Sequence, residues 1–172
     1  ERGMLSVAEL IMPLPEETIN SYFNGIKSII EAGVTRITPY TTMMLKGTYL
    51  DSDECRTKYN MKTKYRILPL QFGEYIGEKC FEIEEVCVAT STMSYGEYLE
   101  CREFAFVSSL FSYLQFDVIL KLVEEMKIDI HEYFVQFWEL IKTCNSGLEG
   151  VCANFVKETE EELWDSPEEI YV

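Results

Sequence analysis

The segment from Val7 to Leu50, VAELIMPLPEETINSYFNGIKSIIEAGVTRITPYTTMMLKGTYL, constrains the fold more than any other, because it reads as strand, helix and strand with sharp punctuation between them. The apolar run Val7 to Met12 ends at Pro13-Leu14-Pro15, and Pro15 suits the first position of a helix, where its missing N–H would be unpaired anyway. Glu16 and Glu17 then fall in the first turn, which the helix dipole favours for acids. Ile19, Tyr22, Phe23, Ile26, Ile29 and Ile30 recur at helical spacing, while Asn20, Asn24, Lys27 and Glu31 share the opposite face. Gly33 supplies the left-handed cap, and Val34 to Tyr40 restarts an extended, β-branched run. Two strands joined through a helix are parallel, and a parallel sheet needs cover on both faces. The expected class is therefore α/β: one unit of a (β/α) TIM-type barrel, followed by a β-hairpin and a helical C-terminal region. Only one such unit is visible, and Glu1-Arg2-Gly3 reads as the tail of a helix with its cap, so the chain is expected to be a piece of a longer protein. An intact small domain with an open sheet is the alternative.

Composition sets the outer limits. A chain of 172 residues is the size of one ordinary domain. With 47% hydrophobic and 13% aromatic residues it lies far from the disordered class. No apolar run approaches the roughly 20 residues that span a bilayer, and no secretory signal is read, so the expectation is a cytoplasmic protein without a membrane partner. The formal charge of −15 opposes binding to polyphosphate, which argues against a nucleic-acid partner. Cys55, Cys80, Cys87, Cys101, Cys144 and Cys152 never form the close pairs of a zinc or iron–sulfur site, so no metal site is read. They read as reduced thiols used as small hydrophobes.

Three regions follow along the chain: residues 1–50, residues 51–91 and residues 92–172. Thr41 to Tyr49 is a loop at the carboxyl end of the second strand, and Asp51 is placed to cap a short helix reaching about Tyr59. From Tyr65 to Thr90, RILPLQFGEY and KCFEIEEVCVAT are strand-like runs separated by Ile76-Gly77-Glu78, the pattern of a hairpin. Beyond Thr90 the reading is helical. Ser94 with Glu97 forms a capping box ahead of Tyr98, Leu99, Phe106, Leu110 and Leu114, and Asp117 and Asp129 are placed to cap two more helices. The helix after Asp129 carries Tyr133, Phe134, Phe137, Trp138 and Ile141 and stops near Gly147; a last one runs through Val151, Phe155 and Val156 into Glu158 to Glu162. Without a repeat or a linker, the helical part should pack directly on the α/β part.

Few residues carry chemistry. His131 is the only histidine, which removes most acid–base and triad schemes; it reads as a partly exposed surface residue. The acids from Glu158 to Glu169 could attract a cation or a basic surface, but charge runs are usually solvated faces. Asp51, Asp53 and Glu54 are explained by capping and first-turn acids. The loop Pro39 to Gly47 has the better claim. It combines a strand-end position with Thr38, Tyr40, Thr41 and Thr42 as hydrogen-bonding groups and Met43 and Met44 as adaptable apolar surface, a lining suited to a flat cofactor with polar edges. An ordinary loop with buried methionines fits the same residues.

On these residues the sequence resembles the later part of radical S-adenosylmethionine enzymes, especially those with a cobalamin-binding domain. The resemblance rests on Met12-Pro13-Leu14-Pro15-Glu16-Glu17-Thr18, the amphipathic helix, Ala32-Gly33-Val34, and the strand and loop Ile37 to Leu50 with Lys46-Gly47-Thr48. Arg66 to Tyr75 continues it more weakly. The resemblance implies a partial barrel whose fifth and sixth strands hold S-adenosylmethionine against a four-iron cluster, for cleavage to a 5′-deoxyadenosyl radical, with cobalamin a further cofactor of the parent enzyme. Pro13, Leu14, Thr38 and Tyr40 would lie near the adenosyl group, and Glu17 would stabilise the turn. The family's C-x3-C-x2-C motif is absent here, and Glu16 stands where the family often has glycine. The expectation is a C-terminal portion that helps to seat the cofactor and close the barrel over substrate. It would be inactive alone, prone to self-association, and partnered by the remainder of the parent enzyme. The alternatives are an acidic helical interaction domain and a fragment of another TIM-barrel enzyme.

Overall fold

The computed structural model describes residues 6–34, 36–111, 117–144 and 147–171. Strand β1 (Val7–Met12), helix α1 (Ile19–Glu31) and strand β2 (Arg36–Thr41) form the expected unit, with β1 and β2 parallel from Val7 opposite Arg36 to Met12 opposite Thr41. The start of α1 differs from the sequence expectation. Pro15 and Glu16 lie in a turn, and Thr18 is the cap: its hydroxyl accepts from the Ser21 amide while the Ser21 hydroxyl accepts from the Thr18 amide. That reciprocal pair satisfies two helix-end donors, whereas Glu16, at φ 67°, sits in the left-handed region and cannot belong to a first turn. Gly33, at φ 73°, follows the last helical turn as expected.

Helix α2 (Asp53–Lys58) is capped by Ser52, whose hydroxyl accepts from the Cys55 amide, and not by Asp51, which is engaged by Arg56. Strands β3 (Lys62–Tyr75) and β4 (Glu78–Ala89) form the antiparallel hairpin. Its two-residue turn, Ile76-Gly77, has positive φ at both positions, the conformation whose twist matches paired strands. Pro69 and Leu70 interrupt the register between Ile67 and Phe72.

The two small sheets are joined by backbone bridges. Beyond β2, the Met44 amide donates to the Glu85 carbonyl and the Cys87 amide to the Thr42 carbonyl, each at 2.8 Å. On the other side of β3, Tyr65 and Trp164 exchange both backbone hydrogen bonds, at 2.9 and 2.8 Å. The order across the molecule is thus β1, β2, β4, β3 and the Trp164 segment. This is a mixed α/β architecture. Among the described residues no closed barrel forms.

Helices α3 (Tyr95–Phe111), α4 (Asp117–Glu125), α5 (Ile130–Thr143) and α6 (Leu148–Glu161) follow, then a 3-10 turn (Pro167–Tyr171). Glu97 accepts from the Ser94 amide and Asp129 from the Glu132 amide, as the sequence predicts. The Asp117 side chain and Leu114 lie outside the described side chains. One core carries the helices onto the sheet: Leu10, Met12, Ile37, Val86 and Val88 meet Tyr22 and Ile26 of α1, Tyr98 and Phe104 of α3, and Phe134 and Trp138 of α5. A smaller cluster of Met44, Cys55, Met61 and Cys87 lies beneath the loop carrying α2. Among the described residues no helix is long and apolar enough to cross a membrane.

Candidate functional site at the carboxyl ends of β1 and β2

Side chains alternate along a strand, so a parallel pair has two distinct faces. Leu10, Met12 and Ile37 enter the core against α1 and α3. The opposite face carries Val7, Glu9 and Ile11 from β1 beside Arg36, Thr38 and Tyr40 from β2. It is bare: Val7 is 59% exposed, Ile11 48% and its register partner Tyr40 47%. Thr38, half-buried, stands opposite Glu9. Two sequence candidates, Thr38 and Tyr40, therefore share one face with an apolar patch and a carboxylate. The other two lie at the turn beyond β1. Leu14 is exposed there, while Pro13 is buried and offers its backbone, the carbonyl accepting from the Thr42 hydroxyl at 2.7 Å.

Three contacts fix that turn. The Glu17 carboxylate accepts from the Leu14 amide at 3.2 Å, the Glu17 amide donates to the Leu14 carbonyl at 3.1 Å, and the Thr92 hydroxyl donates to the Glu17 carbonyl at 2.7 Å. Burial pushes the Glu17 carboxyl above its ordinary range, against the opposing pull of the Leu14 amide.

The loop after β2 is held by charge. Arg56 donates to both oxygens of Glu85, at 2.7 and 2.9 Å, and to the Asp51 carboxylate at 2.7 Å. Lys46 adds contacts of 3.4 Å to Asp51 and 3.7 Å to Glu85. Burial raises the Glu85 carboxyl, but its hydrogen bonds to Arg56 and Thr63 and the charges of Arg56 and Lys46 outweigh that and hold it below the usual range. The Arg56 hydrogen bond lowers Asp51 likewise. Sequence reading missed this network. A lone arginine ten residues after a lysine carries no signal of a partner on a strand 29 residues away.

A concavity of about 530 Å³ lies beside this loop, lined by Met43, Leu45, Lys46, Tyr65, Glu84 and Pro167 among others. Glu84 is buried and paired through one oxygen with Arg66, which also meets Glu162 at 3.3 Å. Glu162 and Asp165, read as part of an acidic run, are thus turned to the chain's own cations, Asp165 accepting from Lys64 at 2.6 Å.

Among the described residues no group of three His, Cys, Asp or Glu side chains is placed to hold a metal ion. All six cysteines are free thiols, and burial pushes Cys87 up to about 11 and Cys101 up to about 12. Compared with known proteins, the chain matches no family model and no curated protein.

Proposed function

We propose that the chain is the C-terminal portion of a radical S-adenosylmethionine enzyme of the cytoplasm, in which the bare face of β1 and β2 turns toward the cofactor. The observation that supports this is the one-sidedness of the parallel pair. Helices cover the face of Leu10, Met12 and Ile37, while Ile11, Thr38 and Tyr40 lie on an open face at the carboxyl ends of the strands, where parallel α/β folds bind ligands.

The residues of this face distinguish between two of the parent enzyme's cofactors. They do not fit the iron cluster: the chain has no C-x3-C-x2-C motif, and no step through a cluster is assigned to it. They fit the adenosyl portion of S-adenosylmethionine. Ile11 and Tyr40 offer apolar surface to a purine, Thr38 and Glu9 offer a hydroxyl and a carboxylate to its polar edges, and Leu14 extends the surface at the turn. Bound in the parent enzyme and given one electron by an iron cluster held elsewhere, S-adenosylmethionine would supply a carbon radical and release methionine. This chain's part is to bind and orient. Glu17, Thr42 and Thr92 fix the turn that carries Leu14, and the network around Arg56 holds the loop beside it. Among the described residues β1 pairs only with β2, and its other edge is assigned to a neighbouring strand of the parent enzyme.

The deciding experiment is to read the coding sequence upstream of Glu1. A C-x3-C-x2-C motif roughly a hundred codons earlier is the expected result; a start codon at this boundary would overturn the proposal.

A further inference from the structure

His131 occupies a place that its sequence position alone does not show. It is the second residue of α5, in the first turn after the Asp129 cap, and its ring meets Phe104 of α3 edge-on, with centroids 5.9 Å apart. Phe104 in turn stacks on Phe23 of α1 at 4.3 Å and meets Trp138 of α5 at 5.4 Å. The imidazole therefore lies where three helices converge on an aromatic cluster. Its Nε2 is buried without a hydrogen-bond partner. A neutral imidazole tolerates that, because the bare nitrogen is only an acceptor; a protonated one would bury a charge and an unpaired donor together.

The charged groups around the ring divide. Lys27 of α1 opposes a second cation, although it is itself 3.9 Å from both Glu31 and Asp129. Asp129 and Glu132 of α5 favour one, as does the ring's hydrogen bond to the Phe23 backbone of α1. From α3 comes the Phe104 ring, with Glu103 turned away to the Trp138 indole N–H at 2.9 Å and to Lys142 at 3.7 Å. The first turn of α5, with the positive end of its dipole, adds to the opposition. Desolvation and Lys27 outweigh the acids and the Phe23 hydrogen bond, so the His131 midpoint lies below its ordinary 6.5.

The element that could yield is next to it. Helix α4 leaves Val118, Leu122 and Met126 more than half exposed, buries Val123, and connects to α5 through Ile128 and Asp129. Such a lightly packed helix belongs to the low-stability end of a fold. We infer that His131 is an acid-sensitive latch: neutral, it holds the corner formed by α4 and the start of α5 against α1 and α3, and its protonation releases that corner.

The linkage has a definite sign. The released histidine titrates near 6.5 and the docked one lower, so the docked corner is fully favoured above 6.5 and loses ground as the pH falls from there through the docked midpoint.

The test uses the chain as it stands. With a single histidine, the imidazole proton resonance reports the docked midpoint directly, and amide exchange of residues 117–134, corrected for intrinsic rates, reports release. Expected are a midpoint below 6.5, faster exchange of this segment than of β3 and β4 on acidification, and loss of that selective response in His131→Phe, which keeps the ring and removes the proton. Lys27→Met should raise the midpoint, a response that simple packing would not give. A midpoint at or above 6.5, or the same acid response in His131→Phe, overturns the inference. Should the phenylalanine variant fail to fold, Lys27→Met decides: an onset of fast exchange in residues 117–134 that moves up in pH with the midpoint supports the latch, and an onset that does not follow the midpoint overturns it.

Discussion

The Thr42 hydroxyl donates to the Pro13 carbonyl at 2.7 Å, so the residue that leaves β2 is bonded to the residue that leaves β1. The Thr42 amide repeats the link one residue earlier, at 2.8 Å to the Met12 carbonyl. Thr42 is buried, and its hydroxyl holds together the two strand ends that carry the proposed site. Thr42→Val keeps the shape and the backbone bond but takes the donor from Pro13. Loss of a buried hydrogen bond should cost about 1–3 kcal/mol, read as a lower denaturant midpoint at unchanged slope. An unchanged midpoint would show the link to be incidental.

The network around Arg56 predicts how stability changes with pH. Glu85 and Asp51 are both held below their ordinary values of 4.5 and 3.8 in the folded chain. The unfolded chain therefore binds protons first, so the contribution is complete above those values and is lost as the pH falls through the lowered folded ones. Arg56→Met should lower stability at neutral pH and flatten this part of the acid profile. Two hydrogen bonds to Glu85 suggest about 1–2 kcal/mol, reduced by solvent on the outer side of Arg56. Urea denaturation of both proteins between neutral pH and the acid range measures it; parallel profiles would remove the network from the account.

Local signals carried much of the fold. Gly33 after α1, Ile76-Gly77 between β3 and β4, Ser94 with Glu97, and Asp129 with Glu132 each act within a few residues, and each is found where the sequence places it. Two helix starts shifted because neighbouring residues compete for the same cap. Thr18 displaced Pro15 through its exchange with Ser21, and Ser52 displaced Asp51 because Arg56 takes the aspartate. What stayed invisible is long-range. Nothing in the periodicity of Thr42 to Met44 shows that they pair with Glu85 and Cys87, nor in Trp164 that it extends the hairpin at Tyr65. At the site, the alternation of β1 and β2 made Thr38 and Tyr40 neighbours legible, while the burial of Pro13 depended on Thr42.

Glu16 supplies a test of backbone conformation. Its φ of 67° is one that side chains adopt at a cost of roughly 1–2 kcal/mol and glycine does not. Glycine also gives the unfolded chain more freedom, which offsets about 0.4–1 kcal/mol of the gain. Glu16→Gly should thus raise stability by roughly 0.5 kcal/mol, and Glu16→Ala should not. A calorimetric comparison of the three melting temperatures checks it, and destabilisation by glycine would show that the Glu16 side chain makes a contact worth more than the strain.

Tyr40 separates a binding role from a packing one. Tyr40 is 47% exposed beside Ile11 on the uncovered face, so removing its side chain leaves the core of Met12, Ile37 and Tyr98 intact. In the parent enzyme, if this face seats the adenosyl group, Tyr40→Ala removes apolar contact and one hydroxyl. The expected cost is about 1–3 kcal/mol of binding, or roughly ten- to a hundredfold in affinity for S-adenosylmethionine, with little change in melting temperature. A packing residue would behave in the opposite way, lowering the melting temperature and leaving the affinity alone. Thr38→Val on the same face should weaken binding less, because it keeps the volume and loses only the hydroxyl. Titration calorimetry with S-adenosylmethionine on the wild type and both variants, each with its melting curve, distinguishes the two roles. Unchanged affinity in Tyr40→Ala would remove this face from the binding site.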